Sequence, residues 1–328
     1  MNTTESSVTE AIDHAVRAAI QAPSPHNTQP WRFEIGPRHI DLLLDRDRVL
    51  TVVDPDAREA RLSCGAALLN LRLAARAAGW SVHYDLLPNR DRPDLLASVW
   101  IGGAREPSPE QRGLAAAIER RASNRHPFIE RAVPVRHRWT LVRAADHEGG
   151  RLILLERPSE LSTFADLLRR ADHLQEQDPV FQAELLRWTA TRPDREDGVP
   201  RSAGGPRPAE GSILKLRDYE AHGSTRERLF EQDPLVAVLA TPHDTPRDQL
   251  RGGQALQRLL LTATVEGLTA SFLSQPTEIP AYRDALRGLI GGLAHPQTAL
   301  RLGYGYTAPQ TPRRPIHDVT SIRQEPLP

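Results

Sequence analysis

Apolar residues recur along this chain at two alternating periods, and the alternation is laid out twice. Ile12, Ala15, Val16, Ala19 and Ile20 are spaced as one face of a helix, and a strand-like Trp31 to Ile35 follows. Arg38 to Leu44 alternates and then runs apolar, a second strand that pairs with the first through a Gly36-Pro37 turn. Asp54-Pro55-Asp56 breaks the chain before its longest helix, Ala57 to Gly79. There Ala60, Cys64, Ala67, Leu68, Leu71, Ala74, Ala75 and Ala78 recur every three or four residues, with Gly79 in the C-cap position. So much Ala with so few polar interruptions predicts a helix buried on more than one face. Val82 to Leu86 and Ser98 to Ile101 add two strands and close a first unit near residue 104.

The pattern then restarts. A helix is predicted over Pro107 to Arg121, with Pro109 and Glu110 in its first turn. Ala145 to Gly150 ends another helix, and Arg151 to Glu156 reads as a strand. Glu160 to Gln177 carries Leu161, Phe164, Leu167, Leu168 and Leu174 on one side, and Phe181 to Arg187 continues helically. From Thr191 to Gly211, four Pro, four Gly and many charges leave no period, so a long loop is expected, either a lid or a disordered insertion. Leu235 to Ala240 is apolar throughout, as in a central strand. Gln249 to Gly267 reads as a buried helix, and strands follow at Thr269 to Leu273 and Leu300 to Tyr304.

Composition narrows the function classes. The 328 residues suffice for two domain-sized units or two halves sharing one core. Lys plus Arg and Asp plus Glu both number 42, so no net charge funnels nucleic acid toward the protein. The single cysteine, Cys64, excludes an intramolecular disulfide and any multi-Cys zinc or iron–sulfur site; among Leu62, Ala66, Ala67 and Leu68 it reads as a small buried hydrophobe. Met1 to Glu10 lacks the apolar stretch of a secretory signal, and no uncharged apolar run approaches the roughly 20 residues that span a bilayer. A cytoplasmic protein without membrane contact is expected. The 12 histidines show no ligand spacing, and no Gly-x-Gly-x-x-Gly after a strand, Walker loop, Gly-x-Ser-x-Gly elbow or His-Glu-x-x-His is present.

Two stretches stand outside the periods. Ala22 to Phe33 reads Ala-Pro-Ser-Pro-His-Asn-Thr-Gln-Pro-Trp-Arg-Phe. Pro23, Pro25 and Pro30 forbid a helix, while Ser24, His26, Asn27, Thr28 and Gln29 crowd hydrogen-bonding side chains into a stiff loop, where ligands are commonly held. The other stretch contains Arg121, Ser123 and Arg125 in an Arg-x-Ser-x-Arg arrangement. Guanidinium groups bind phosphate bidentately and a hydroxyl between them completes the oxygen contacts; helix-end cations facing the macrodipole are the other reading of the arginines.

Ala-Pro-Ser, then Asn, then Gln-Pro-Trp resembles the flavin-contacting loop of FMN-dependent nitroreductases, and the form with His before Asn resembles the Acg-type nitroreductases of actinobacteria. The resemblance extends to Arg58-Glu59 with Ser63 to Ala67, to Gly267-Leu268, to Leu302-Gly303-Tyr304 and to the basic pair Arg313-Arg314, and so covers nearly the whole chain except Thr191 to Gly211. It implies an α+β, nitroreductase-like fold that binds FMN, with NAD(P)H and a nitroaromatic or quinone-like acceptor as partners. It also implies that Ser24, His26, Asn27 and Gln29 contact the ring and ribityl chain, and that Arg121, Ser123 and Arg125 hold the phosphate with Arg313 or Arg314. The family's donor to flavin N5 comes from a Pro-x-Glu-Gly turn; here Gln275-Pro276-Thr277-Glu278 is followed by Ile279 instead of Gly. That departure, with the long loop, motivates an alternative: an FMN-sequestering or storage flavoprotein without efficient NAD(P)H turnover.

Ordinary nitroreductases are homodimers with two sites at the interface, whereas this chain carries the loop and the arginine clamp once each. The expectation is two fused nitroreductase-type halves, 10–106 and 107–328, the second with a loop or lid at 191–211. They would form a monomeric pseudo-dimer with one FMN between the halves.

Overall fold

The computed structural model describes residues 3–190, 195–219 and 227–323, so positions 191–194 of the expected loop lie outside the described residues. Helix α1 (Thr3–Ala19) buries Ile12, Ala15, Val16 and Ala19, the stripe its spacing predicts. Strands β1 (Trp31–Ile35) and β2 (His39–Leu44) form the expected hairpin, in register from Trp31 opposite Leu44 to Ile35 opposite Ile40. Helix α2 (Arg58–Ala77) starts where the Asp54 carboxylate accepts from the N–H groups of Glu59 and Ala60, at 3.0 and 2.8 Å. Strands β3 (Trp80–Leu86) and β4 (Leu95–Ala104) complete the first unit, and α3 (Pro109–Ala117) opens on a Ser108–Gln111 capping box.

The second unit runs through α4 (Val135–Asp146), β5 (Arg151–Leu154), α5 (Pro158–Gln177) and α6 (Pro179–Trp188). Two short parallel pairs follow, β6 (Thr189–Ala190) with β7 (Val199–Pro200) and β8 (Arg207–Pro208) with β9 (Glu227–Arg228). Residues 195–219, which hold β7, a helical turn over Arg201–Ala203 and β8, lie against the proline-rich loop through Glu196 and Gly198 and form a covering segment. Beyond it come β10 (Leu235–Thr241), α7 (Pro246–Val265), β11 (Thr269–Phe272), α8 (Gln275–Glu278), α9 (Pro280–Leu289), β12 (His295–Gly303), α10 (Ile316–Val319) and β13 (Thr320–Ile322). No helix among the described residues is long and apolar enough to cross a membrane.

The strands form two main sheets, β13-β1-β2-β4-β3 and β11-β12-β10-β5. Leaving β13 aside, the order β1-β2-β4-β3 in one matches β5-β10-β12-β11 in the other, and each sheet carries a 20-residue helix after its second strand. Those helices, α2 and α7, pack backbone to backbone. A Cβ on Gly65 would lie 2.2 Å from the Leu250 carbonyl oxygen, and one on Gly253 would lie 2.0 Å from that of Leu62. Arg61 and Gln249, 188 positions apart, bond across the contact at 2.6 Å. The same offset relates Leu62 to Leu250, Gly65 to Gly253, and the helix-ending Gly79 to Gly267, both at positive φ. Leu250 packs into the apolar cluster of the first unit and Leu62 into that of the second, so each core is completed by the other unit's helix. At the far edge of the first sheet, β13 runs parallel to β1, Phe33 facing Thr320 and Ile35 facing Ile322.

Candidate functional site

The proline-rich loop lies between α1 and β1 in a conformation few side chains adopt. His26, Asn27 and Gln29 have φ of 48°, 56° and 54°, the left-handed region, which costs roughly 1–2 kcal/mol for each non-glycine residue. Hydrogen bonds to distant segments hold it there. Asn27 Nδ2 donates to the carbonyls of Gly198 and Pro312, both at 3.0 Å, and its Oδ1 accepts from Arg313 Nη1 at 3.1 Å. Gln29 Nε2 donates to Glu196 O and its Oε1 accepts from Arg314 N, each at 2.9 Å. Ser24 Oγ accepts from Gln29 N at 2.9 Å. The covering segment and the C-terminal tail thus clamp the loop from outside.

A cavity with two lobes opens inside the loop, and Pro23, Ser24, Ser123 and Arg125 line both. The larger lobe has about 80 Å³ of free space, walled by His26, Glu59, Ser63, Ser271, Gln275 and Thr298 from both units. Leu216, Arg217 and Tyr219 of the covering segment intrude on it, which is why it falls below the roughly 300–1,000 Å³ of an open ligand cleft. The smaller lobe, about 30 Å³, is lined by Asn27, Arg121 and Arg313.

The smaller lobe gathers positive charge. Arg121 is buried, with no hydrogen-bond partner for Nε and Nη1 among the described residues. Burial and the neighbouring Arg125 bring its guanidinium down to about 10, and burial with Arg121 brings Arg313 down to about 9, so both stay charged at neutral pH. Arg313 spends its Nη atoms on carbonyls, on Thr311 Oγ1 and on Asn27, but its Nε has no described partner. Arg125 lies 4.5 Å over the Tyr219 ring and donates to Ala203 O at 2.9 Å. No described carboxylate forms an ion pair with Arg121, Arg125 or Arg313, so three cations line one lobe without a counter-charge among the described residues, an arrangement that can accept an anion. Gly205, at φ +79°, seats the covering segment here, since a Cβ would lie 2.4 Å from Arg125 O.

Orphaned donors mark the larger lobe too. Both His26 ring nitrogens and Ser271 Oγ are buried without a described partner. Burial and then Arg217 push His26 down to about 3, so the imidazole is neutral. Its ordinary value is 6.5, so between pH 6.5 and 3 the unfolded chain takes up a proton that the folded one refuses, and acidification across that window destabilises the fold. The His26→Asn variant, with a residue that tolerates the left-handed backbone, should therefore lose less stability between pH 6.5 and 5. The difference from wild type should approach about 1.4 kcal/mol per pH unit in urea titrations; parallel curves would mean that His26 is solvated.

The expected site residues divide accordingly. Ser24, His26, Ser123, Arg125 and Gln275 line the larger lobe, and Ser24, Asn27, Arg121, Ser123, Arg125 and Arg313 the smaller. Four stand behind the wall instead of on it. Gln29 spends its amide on the covering segment and the tail, Pro276 is buried within α8, and Arg314 turns to Asp45 at 3.5 Å and Asp318 O at 2.8 Å. Glu278 binds Arg217 through Nη1 at 3.0 Å and through Nη2, and also accepts from Ser274 Oγ at 2.7 Å. Of the basic pair, then, Arg313 alone reaches the anion lobe. Glu59, Arg217 and Tyr219 also line the larger lobe, and no short motif marks them as site residues. Glu59 carries a signal in the sequence, a carboxylate on the Leu62–Ser63–Ala66 side of a buried helix. Arg217 and Tyr219 directly follow an Ile213-Leu214-Lys215-Leu216 stretch whose apolar character implies burial.

The place related to Glu59 by the 188-residue offset holds Arg247, whose Nη2 donates to Leu86 O at 2.7 Å. Among the described residues, no group of three or more His, Cys, Asp or Glu side chains is arranged to hold a metal ion. Cys64 donates to Pro30 O at 3.2 Å, and burial pushes its thiol far above the ordinary range, so it is inert.

Comparison with known proteins decides the family. A Mycobacterium tuberculosis protein named "Putative NAD(P)H nitroreductase acg" is 34% identical over 328 residues, 96% of each chain. The chain belongs to the Acg-type NAD(P)H nitroreductase family. A second protein of that organism named as a nitroreductase is 32% identical, covering 97% of this chain and 93% of its own. Another M. tuberculosis relative of this nitroreductase, called uncharacterized, is 33% identical over 96% of this chain and 94% of its own. No family model matches. Among solved structures, a Desulfitobacterium hafniense nitroreductase with bound FMN has 12% identity and a TM-score of 0.42, over 64% of this chain and 98% of its own. The Vibrio harveyi NADPH:FMN oxidoreductase, complexed with NAD+, has 13% identity and a TM-score of 0.40, over 66% and 79%.

Proposed function

We propose that this nitroreductase is a cytoplasmic, monomeric flavoprotein that binds one FMN per chain and passes electrons from NAD(P)H to a nitroaromatic or quinone-like acceptor. The observation that carries the reading is the anion lobe: Arg121, Arg125 and Arg313 converge without a counter-charge beside the loop that resembles a flavin-contacting loop. Arg121, Ser123, Arg125 and Arg313 would hold the phosphate. Ser24 and Asn27 would lie along the ribityl chain, and His26, Ser271 and Gln275 would offer polar groups to the ring. FMN, when bound, supplies the hydride chemistry. Gln29, Pro276, Glu278 and Arg314 act one layer out, fixing the loop and the wall.

The matching strand orders, the offset shared by α2 and α7 and the exchanged leucines support a pseudo-dimer of two fused halves, 10–106 and 107–328, with β13 of the second half returning to the first sheet. Arg247 spanning the place related to Glu59 favours a single flavin instead of two.

Leu216 to Tyr219 also shape how a ring enters. With Arg217 fixed to Glu278, the larger lobe admits a ring only as Tyr219 and Leu216 give way. Purified protein should be yellow, with one flavin per 36.5 kDa chain, and anaerobic NADPH should bleach it. A ratio near two would sink the single-site reading. A flavin that stays unbleached for hours would assign sequestration in place of turnover.

A further inference from the structure

We propose that Glu59 is the proton donor of the larger lobe, delivering to an acceptor bound there the proton that accompanies hydride transfer. The inference rests on the oxidoreductase reading above but concerns a residue that reading does not use. Glu59 lies in the first turn of α2, 5% exposed, on the lobe wall one turn before Ser63. Few donors stabilise it as an anion. Arg58 Nη2 donates to its Oε1 at 3.0 Å, yet the same guanidinium also serves Gln297 O at 2.7 Å, Gln297 Oε1 at 3.2 Å and Thr277 O at 3.2 Å. The helix N-terminus gives it little help, since the N–H groups of Glu59 and Ala60 are spent on Asp54.

Its neighbour across the wall is the opposite case. Glu278 receives Arg217 Nη1 at 3.0 Å, Arg217 Nη2, Ser274 Oγ at 2.7 Å and Gln175 Nε2 at 2.6 Å. Two buried carboxyl groups that repel each other divide their protons by donor count, so Glu278 keeps the charge and Glu59 keeps the proton. The groups facing Glu59 are Asp54 and Arg58 beside it, Glu278 on α8 and Arg217 on the covering segment. Burial and then Glu278 push its carboxyl up to about 8, against the pull of Arg58. Neutral His26, on the same wall, adds no positive charge to discharge it.

The chemistry needs such a group. A quinone takes two electrons with the hydride and must gain one proton on its other oxygen to become a hydroquinone. In the lobe narrowed by Leu216 and Tyr219, the Glu59 O–H bond breaks, its proton passes to that oxygen, and water reprotonates the carboxylate afterwards. NAD(P)H is the reductant and the quinone the oxidant.

The test uses the full chain as wild type, Glu59→Gln and Glu59→Asp. Without cofactor, the wild-type infrared spectrum should show a protonated-carboxyl band at pH 7 that titrates away near pH 8 and is missing in Glu59→Gln. With FMN bound, benzoquinone, which needs a proton, is compared with ferricyanide, which takes electrons alone. Glu59→Gln should lower the benzoquinone-to-ferricyanide rate ratio about 100-fold at pH 7 and flatten its fall above pH 8, while Glu59→Asp restores part of it. A ratio unmoved by Glu59→Gln, or a wild-type spectrum without the band, overturns the proposal. A wild type that binds no flavin would refute the oxidoreductase reading instead, with the infrared result still deciding whether Glu59 holds a proton.

Discussion

Replacing Gly65 by Ala should cost about 3 kcal/mol or more, or leave the protein unfolded, and Gly253→Ala should do the same. At each position the new methyl would strike the carbonyl oxygen of the opposite helix, at 2.2 Å for Gly65 and 2.0 Å for Gly253. A clash with backbone cannot be relieved by a rotamer. The helices must part along their length, and parting withdraws Leu62 and Leu250 from the cores they complete. Gly113, within α3 and facing open space, is the control: its Ala variant should gain up to about 1 kcal/mol from helix propensity alone. One separation admits both methyls, so the Gly65→Ala/Gly253→Ala double variant should cost less than the two singles added. Urea midpoints of the four variants against wild type decide the matter, and a wild-type midpoint for Gly65→Ala would mean that the contact is looser than drawn.

The Arg121→Met variant should be more stable than wild type without ligand and weaker with FMN. Removing a buried guanidinium that lacks a counter-ion relieves desolvation and repulsion from Arg125 and Arg313. Met keeps most of the volume, so no large cavity opens. Charge-assisted bonds to phosphate contribute about 1.5–3 kcal/mol each, so FMN affinity should fall roughly 10- to 100-fold. Riboflavin, which lacks the phosphate, should bind both proteins alike. Equal losses for FMN and riboflavin would move Arg121 away from the phosphate.

Much of this was legible in the sequence because it is local. The spacing of Ala60, Cys64, Ala67 and Leu71 predicts a helix buried on several sides, and α2 is one, packed on both its own sheet and α7. The loop and the Arg-x-Ser-x-Arg segment are short motifs whose chemistry is written in adjacent letters, and they line one cavity. What was not legible depends on distant partners. Gln29 and Asn27 could have faced a ligand or the protein; the carbonyls of Glu196 and Gly198, 167 and 171 residues away, settle Gln29 outward and occupy one face of Asn27. The covering segment reads as structureless because its order comes from such bonds and from short parallel pairs, none of which has a period. The strand β13 was unexpected for a similar reason: three residues carry no alternation, and only the edge of β1 gives them a partner.

The pairing of β13 with β1 bears on how the protein is made. Everything else in the first sheet lies within the first 104 residues, so it can assemble early on the ribosome, but its outer strand, 320–322, is translated 216 residues after β4 ends at residue 104. Until then the backbone groups of Phe33 to Ile35 stand unpaired on a nascent intermediate, an edge open to strands of other chains. The bond from Arg323 N to Ile35 O, at 3.0 Å, closes a loop of 288 residues, from 35 to 323. Chaperone dependence and aggregation during synthesis should therefore concentrate at β1, and a ribosome stalled before residue 320 would display an adhesive first sheet.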